Sequence, residues 1–270
     1  MKLGVLVSLN KEIENELKKV YDLGFKSCQI CGWDIKFMTD ENAKIINDCK
    51  DKYGIEVSTF WCGWTGLAVW DFYEGPLTLG LVPEASRHQR ICELKIGSDF
   101  AKKINVKNIA THVGFLPETP HSTQYRSLVC ALKEIANYVK DNGQYFLFET
   151  GQETPVTLRR TIEDVGTGNL GINLDPANLI MYGKANPVDA LEVFGEFVRD
   201  IHGKDGCYPT NGKNLGIEMP LGDGKVNYPA FVSKLKEIGY DGPITIEREI
   251  DGDEQLKDII NAKSLLESLI

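Results

Sequence analysis

Four residues that can bind a metal close four successive apolar runs of this sequence: Glu149 in "QYFLFE", Asp175 in "LGINLD", His202 in "FVRDIH" and Glu247 in "PITIE". An ionised carboxylate at the end of a buried strand needs a partner or a cation. Three carboxylates and one imidazole form a hard, oxygen-rich donor set. It suits one divalent ion, Mn²⁺ or Mg²⁺ first, with Co²⁺ or Zn²⁺ also accommodated. Without a cation, three gathered carboxylates would repel and one would take up a proton. Taken singly, each acid is better explained by an ion pair or a helix N-terminus. Their recurrence on four consecutive strands makes the pattern a candidate metal centre.

The elements that must position them alternate along the whole chain. β-rich runs fall at 2–8, 26–31, 55–61, 107–113, 144–149, 170–175, 197–202 and 243–247. Amphipathic helical patterns fall between them, at 11–22, 40–52, 84–103, 123–141, 155–165, 187–195, 228–238 and 254–269. In the seventh, Phe231, Leu235 and Ile238 recur at helix spacing while Lys234, Lys236 and Glu237 fill the other faces. Thr154 before Pro155 reads as an N-cap, and "YDLGFKS" and "EIGYDGP" read as helix, glycine stop, strand.

Eight such units without a break in composition predict one α/β domain over residues 1–270, a single (β/α)8 TIM barrel, rather than a doubly wound open sheet. The C-terminal strand ends of a closed parallel barrel ring one mouth, so distant residues can converge there. Strand alternation puts Thr245 on the face of Glu247 and Asn173 on that of Asp175, with Ile244 and Ile246 toward the helices. Two connections, 62–83 and 203–227, are long and leave strand ends at the same mouth, as substrate lids do.

Composition narrows the partners. The chain is 42% hydrophobic and 26% charged, which is ordinary for a globular fold, and its net charge of −9 argues against nucleic acid. Seven cysteines make no disulfide framework, and Cys28 and Cys31, a lone C-x-x-C within a strand, read as buried thiols. The charged N-terminus and the lack of a long apolar run predict no signal peptide, no membrane partner and a cytoplasmic location. A homo-oligomer is compatible with everything here. "GTGNLG" at 166–171 satisfies G-x-G-x-x-G, but it precedes a strand instead of following one, so it is no dinucleotide fingerprint.

Five stretches, "FLFETGQETP", "GINLDPANLIMYG", "IHGKDG", "MPLGDGKVNYPAF" and "GPITIERE", together resemble the sugar phosphate isomerase/epimerase family of xylose isomerase-like barrels. The resemblance covers essentially the whole chain. It implies that Glu149, Asp175, His202 and Glu247 bind one divalent cation, as in ketose 3-epimerases. It also implies that Glu149 and Glu247 form the acid/base pair, and that the partner is a small sugar or sugar-like molecule. Two positions depart from the pattern. Asn178 stands where many relatives carry His, and 203–227 holds only Lys204, Lys213 and Lys225, without the arginine some epimerases place there.

The chemistry expected is proton removal next to a carbonyl, with a divalent ion stabilising the enediolate and carboxylates moving the proton. Whether this isomerises or epimerises is open at this level, and a dehydratase on the same scaffold or a non-catalytic sugar-binding relative are the alternatives. The abasic-site endonuclease branch needs a His-rich zinc cluster, which four histidines do not supply.

Further substrate contacts are expected from Glu153, His112, Lys204, Asn178 and an aromatic wall of Trp33, Trp61 and Trp64, with Asp205 orienting His202 from behind. Each has a plainer reading as well. Glu153 suits a helix first turn, His112 a structural hydrogen bond and Lys204 an ion pair, while the tryptophans suit packing.

Overall fold

Residues 1–270 are described by a computed structural model in which every one of the eight β-rich runs becomes a strand of one closed barrel. The strands are β1 (Lys2–Ser8), β2 (Ser27–Gly32), β3 (Glu56–Cys62), β4 (Asn108–Thr111), β5 (Tyr145–Glu149), β6 (Leu170–Leu174), β7 (Val198–Gly203), β8 (Asp205–Gly206), β9 (Glu218–Met219) and β10 (Pro243–Ile246). All barrel pairings are parallel, in the order β1-β10-β7-β6-β5-β4-β3-β2, and β8 and β9 form a separate antiparallel pair.

The helices are α1 (Ile13–Asp22), α2 (Asp40–Tyr53), α3 (Gly75–Thr78), α4 (Glu84–Lys103), α5 (Thr123–Asp141), α6 (Pro155–Val165), α7 (Pro176–Met181), α8 (Pro187–Phe194), α9 (Tyr228–Glu237) and α10 (Asp253–Leu269). Their ends follow local chemistry. Thr39, Ser122 and Thr154 each accept a backbone N–H in the first turn, and Gly54 and Gly166 stop α2 and α6 at φ +63°.

The main core lies between sheet and helices, where Phe146, Phe148, Ile172, Ile201, Ile244 and Ile246 point outward and are fully buried. Each such side chain contributes about 1.5–3 kcal/mol. The barrel interior differs. Trp61, Ala110 and Leu147 form a small apolar set, while Gln29, Thr59, Asn173, Asp200, His202 and Thr245 are buried polar groups. Asp200 accepts from the Thr59 hydroxyl at 2.7 Å and from the Ile201 N–H at 2.9 Å, so this layer is hydrogen-bonded rather than greasy.

The two long connections meet over the mouth. The Phe72 N–H donates to the Lys213 carbonyl at 2.8 Å, and Asp71 bridges Asn214. Arg90 braces the first of them by donating to the Thr65, Leu67, Thr78 and Gly80 carbonyls while lying 3.8 Å from the Trp64 ring. Gly80 sits at φ +69°, and a Cβ there would fall 2.1 Å from the Val113 carbonyl, so only glycine fits.

Helices α3 and α7 and the β8/β9 pair have no counterpart in the sequence reading. Each is too short to show a period. Cys28 is buried as expected, but Cys31 is half-exposed at the mouth, since residues three apart in a strand face opposite sides. No helix is long and apolar enough to cross a membrane.

Candidate metal centre and active site

The four strand-end residues converge. One ligand atom from each of Glu149, Asp175, His202 and Glu247 lies within 4.8 Å of every other. Glu149 ends β5, Asp175 follows β6, His202 lies in β7 and Glu247 follows β10, so neighbouring strands deliver them. The His202 Nδ1 is 2.9 Å from Glu247 Oε2, 3.4 Å from Glu149 Oε1 and 3.7 Å from Asp175 Oδ2.

Two observations test whether a cation fits. A spread of 4.8 Å is one that a single ion can bridge, because hard cations sit roughly 2.0–2.5 Å from their ligands. In addition, the buried Asp175 Oδ2 and His202 Nδ1 make no hydrogen bond, although both are aimed into the cluster. The donor set fits one divalent ion.

Electrostatics agree. Burial opposes ionisation of Glu149 and Glu247, but nearby basic side chains outweigh it and hold both carboxyls below the usual range. Those groups are His112 and His202 for Glu149, and Lys204 and His202 for Glu247. Burial likewise disfavours a charged His202, yet Glu247 and Glu149 raise its pKa well above the ordinary value. The protons and the ammonium here occupy the electrostatic role that a dication would fill.

The orientation of His202 comes from Gln29, which the sequence does not single out, and from Asn173, which strand alternation places on the inward face without a role. Its Nε2 faces Gln29 Oε1 at 3.0 Å and the Asn173 amide at 3.0 Å, and Gln29 donates to Asn173 Oδ1 at 3.1 Å. With a cation in place of the Nδ1 proton, a proton kept on Nε2 for Gln29 Oε1 would leave the Nδ1 lone pair toward the carboxylates. Asp205 does not reach His202. Its carboxylate accepts the backbone N–H groups of Gly206, Gly222, Gly224 and Val226, and pins the 203–227 connection. Gln29→Leu should weaken Mn²⁺ binding about 10- to 100-fold, as loss of an outer-shell partner does. Competition against a chelator reads this directly, and wild-type affinity in the variant would remove Gln29 from the assignment.

Above the cluster lies a cavity of about 170 Å³, lined by Trp33, Trp61, Trp70, His112, Glu149, Asn178 and Glu247 among others. The Trp61 indole N–H donates to Glu149 Oε2, which leaves Oε1 toward the cluster. The His112 Nε2 is 3.5 Å from Glu149 Oε1, its Nδ1 accepts from the Gln152 amide at 3.3 Å, and its ring packs against Trp61 and Trp70. Asn178 donates to Glu149 Oε1 at 3.5 Å.

Lys204 is buried beneath the carboxylates, 3.0 Å from Glu249, 3.3 Å from Glu247 and 3.6 Å from Asp175. Lys204 is thus an ion-pair partner outside the cavity lining, and two more expected contacts lie elsewhere. Trp64 is buried against Arg90, off the cavity, and Trp70 from the long connection takes its place. Glu153 is buried outside the cavity lining, where loss of hydration pushes its carboxyl up to about 8.

Residues 17–269 match the family described as xylose isomerase-like TIM barrel. A crystal structure of a xylose isomerase domain protein from Planctomyces limnophilus is 38% identical, covers 99% of this chain and 96% of its own, and superposes with a TM-score of 0.93. A D-tagatose 3-epimerase-like protein is 22% identical over 100% of this chain and 97% of its own, with a TM-score of 0.77, a likeness of fold. The uncharacterized protein MJ1311 of Methanocaldococcus jannaschii is 24% identical across 100% of this chain and 89% of its own length.

Proposed function

Because this chain belongs to the xylose isomerase-like TIM barrel family, we propose that it is a divalent-metal-dependent isomerase or epimerase of a small ketose or related hydroxycarbonyl. The observation that carries this reading is the buried Glu149/Asp175/His202/Glu247 cluster at the floor of a cavity of about 170 Å³. These four residues would hold the metal, with Mn²⁺ the favoured ion for such a donor set. A bound dication supplies Lewis acidity toward a carbonyl and its neighbouring hydroxyl.

The chain's own residues move the proton. Glu149 and Glu247 both line the cavity and stand three strands apart around the eight-strand ring. One carboxylate takes the proton from the carbon beside the carbonyl and later releases it to solvent, and the other, having drawn a proton from solvent, delivers that second proton to the opposite face. Trp61, donating to Glu149 Oε2, and Lys204, paired with Glu247, keep the two acids apart and oriented. Trp33 and Trp70 wall the cavity, and His112 and Asn178 offer polar contacts to sugar hydroxyls. General acid/base action of this kind contributes about 10²- to 10⁴-fold.

The test is a panel of ketoses incubated in D₂O with the Mn²⁺-loaded protein and followed by NMR. One deuteron should appear at the carbon beside the carbonyl, together with an epimer or aldose. Release of an unsaturated product would mark a dehydratase. Exchange into none of the ketoses would leave a sugar binder in place of an enzyme.

A further inference from the structure

Beside the cavity lined by Glu149 and Glu247 opens a second hollow of about 340 Å³. The two share Leu6, Cys31, Trp33, Glu247 and Glu249, so they are compartments of one cleft. The outer compartment runs over the end of β1 between α1 and α10, where Ser8, Lys19 and Gln255 face it. At about 170 Å³ the inner compartment is small. It falls below the roughly 300–1,000 Å³ of larger ligand sites, a range within which both the outer compartment by itself and the whole cleft lie. A single small sugar leaves the outer compartment unused.

The lining says what would occupy it. Glu16, Glu247, Glu249 and Asp251 face Lys19 and Arg248 there. Arg248 is already paired with Glu218 at 3.1 Å and Asp258 at 2.9 Å, and Lys204 next door is bound to three carboxylates. A phosphate would meet a wall of four carboxylates with no free guanidinium and only the Lys19 ammonium to receive it. Hydroxyl groups would meet carboxylate oxygens, the Ser8 hydroxyl and the Gln255 amide, whose Nε2 donates to the Arg248 carbonyl and leaves its oxygen open. At the junction, Trp33 is 43% exposed and is held by Trp61 at 4.9 Å and Trp64 at 5.7 Å, a rigid aromatic face that two sugar rings can share.

Building on the sugar chemistry proposed above, we infer that the substrate is an uncharged glycoside of two units, with the reacting keto sugar in the inner compartment and a second sugar in the outer one. Calorimetric titration of the Mn²⁺-loaded protein tests this with three probes for each 2-ketohexose: the free sugar, a glucosyl derivative that keeps the ketose carbonyl, and the 6-phosphate.

For at least one ketose the glucosyl derivative should bind about tenfold tighter than the free sugar, and the phosphate no tighter than the free sugar. Ser8→Trp, which fills the outer compartment from β1, should erase that advantage and leave free-sugar binding unchanged. Lys19→Trp should do the same from α1. Equal affinity of free and glucosyl forms throughout, tighter binding of the phosphate, or an advantage that survives both variants overturns the inference. Metal content and deuterium exchange of the free ketoses, read on the same samples, report separately on the isomerase reading.

Discussion

Asp175→Asn should strip the protein of its metal while leaving the fold intact. The two oxygens of Asp175 have separate duties. Oδ1 accepts the Asn178 N–H at 2.8 Å and caps α7, whereas Oδ2 is buried, makes no hydrogen bond and points at the His202 Nδ1. An asparagine keeps the capping oxygen, so the roughly 1 kcal/mol associated with a cap is retained. It replaces the ligand oxygen with an amide that donates and carries no charge. Mn²⁺ affinity should fall by more than about 100-fold, beyond the loss seen for outer-shell partners. Activity should fall with it, because three remaining ligands and a polar donor no longer favour a hard cation. Elemental analysis and a metal titration read the first effect, and circular dichroism with thermal melting reads the second. A variant that retained full metal affinity would show that the cluster is an ion-pair network.

What the sequence makes legible depends on how local each signal is. The eight strands and the principal helices carry their own period, so their bounds were legible to within a residue or two. Residues 84–103, 123–141 and 155–165, for example, are helical end to end. The four clustered strand-end residues were legible for a related reason. Each closes its own apolar run, and barrel closure then carries them to one place. The Gln29–Asn173 contact leaves no comparable trace, because the two are 144 residues apart and meet only across the barrel interior. Trp70 was equally hidden, sitting in a connection without periodicity whose path is set by buried Arg90 and by Gly80. Proximity in sequence misled in one case. Asp205, three residues after His202, invited the role of orienting it, yet the chain turns away at β8 and carries the carboxylate into its own loop.

That placement predicts a different outcome for Asp205→Ala, in which stability falls and metal binding survives. Oδ1 accepts from Gly206 at 2.8 Å and Val226 at 3.0 Å, and Oδ2 from Gly222 at 3.0 Å and Gly224 at 3.1 Å. Hydrogen bonds to a charged group contribute about 1.5–3 kcal/mol each. Water can reach part of the opened loop, so the expected loss is about 3 kcal/mol or more, or roughly 6–12 °C in Tm for a chain of this size. Asp205→Asn should fall between, because its single acceptor serves one pair of N–H groups while its amide opposes the other. The same loop supplies Leu215 to the cavity wall and meets the 62–83 connection through Lys213. Any turnover defect should therefore appear mainly as a higher KM. Mn²⁺ affinity should stay within about threefold of wild type, well short of the loss expected when a histidine's outer-shell partner is removed. A fall in metal affinity as large as that of Gln29→Leu, without the loss of stability, would return Asp205 to the role of holding His202.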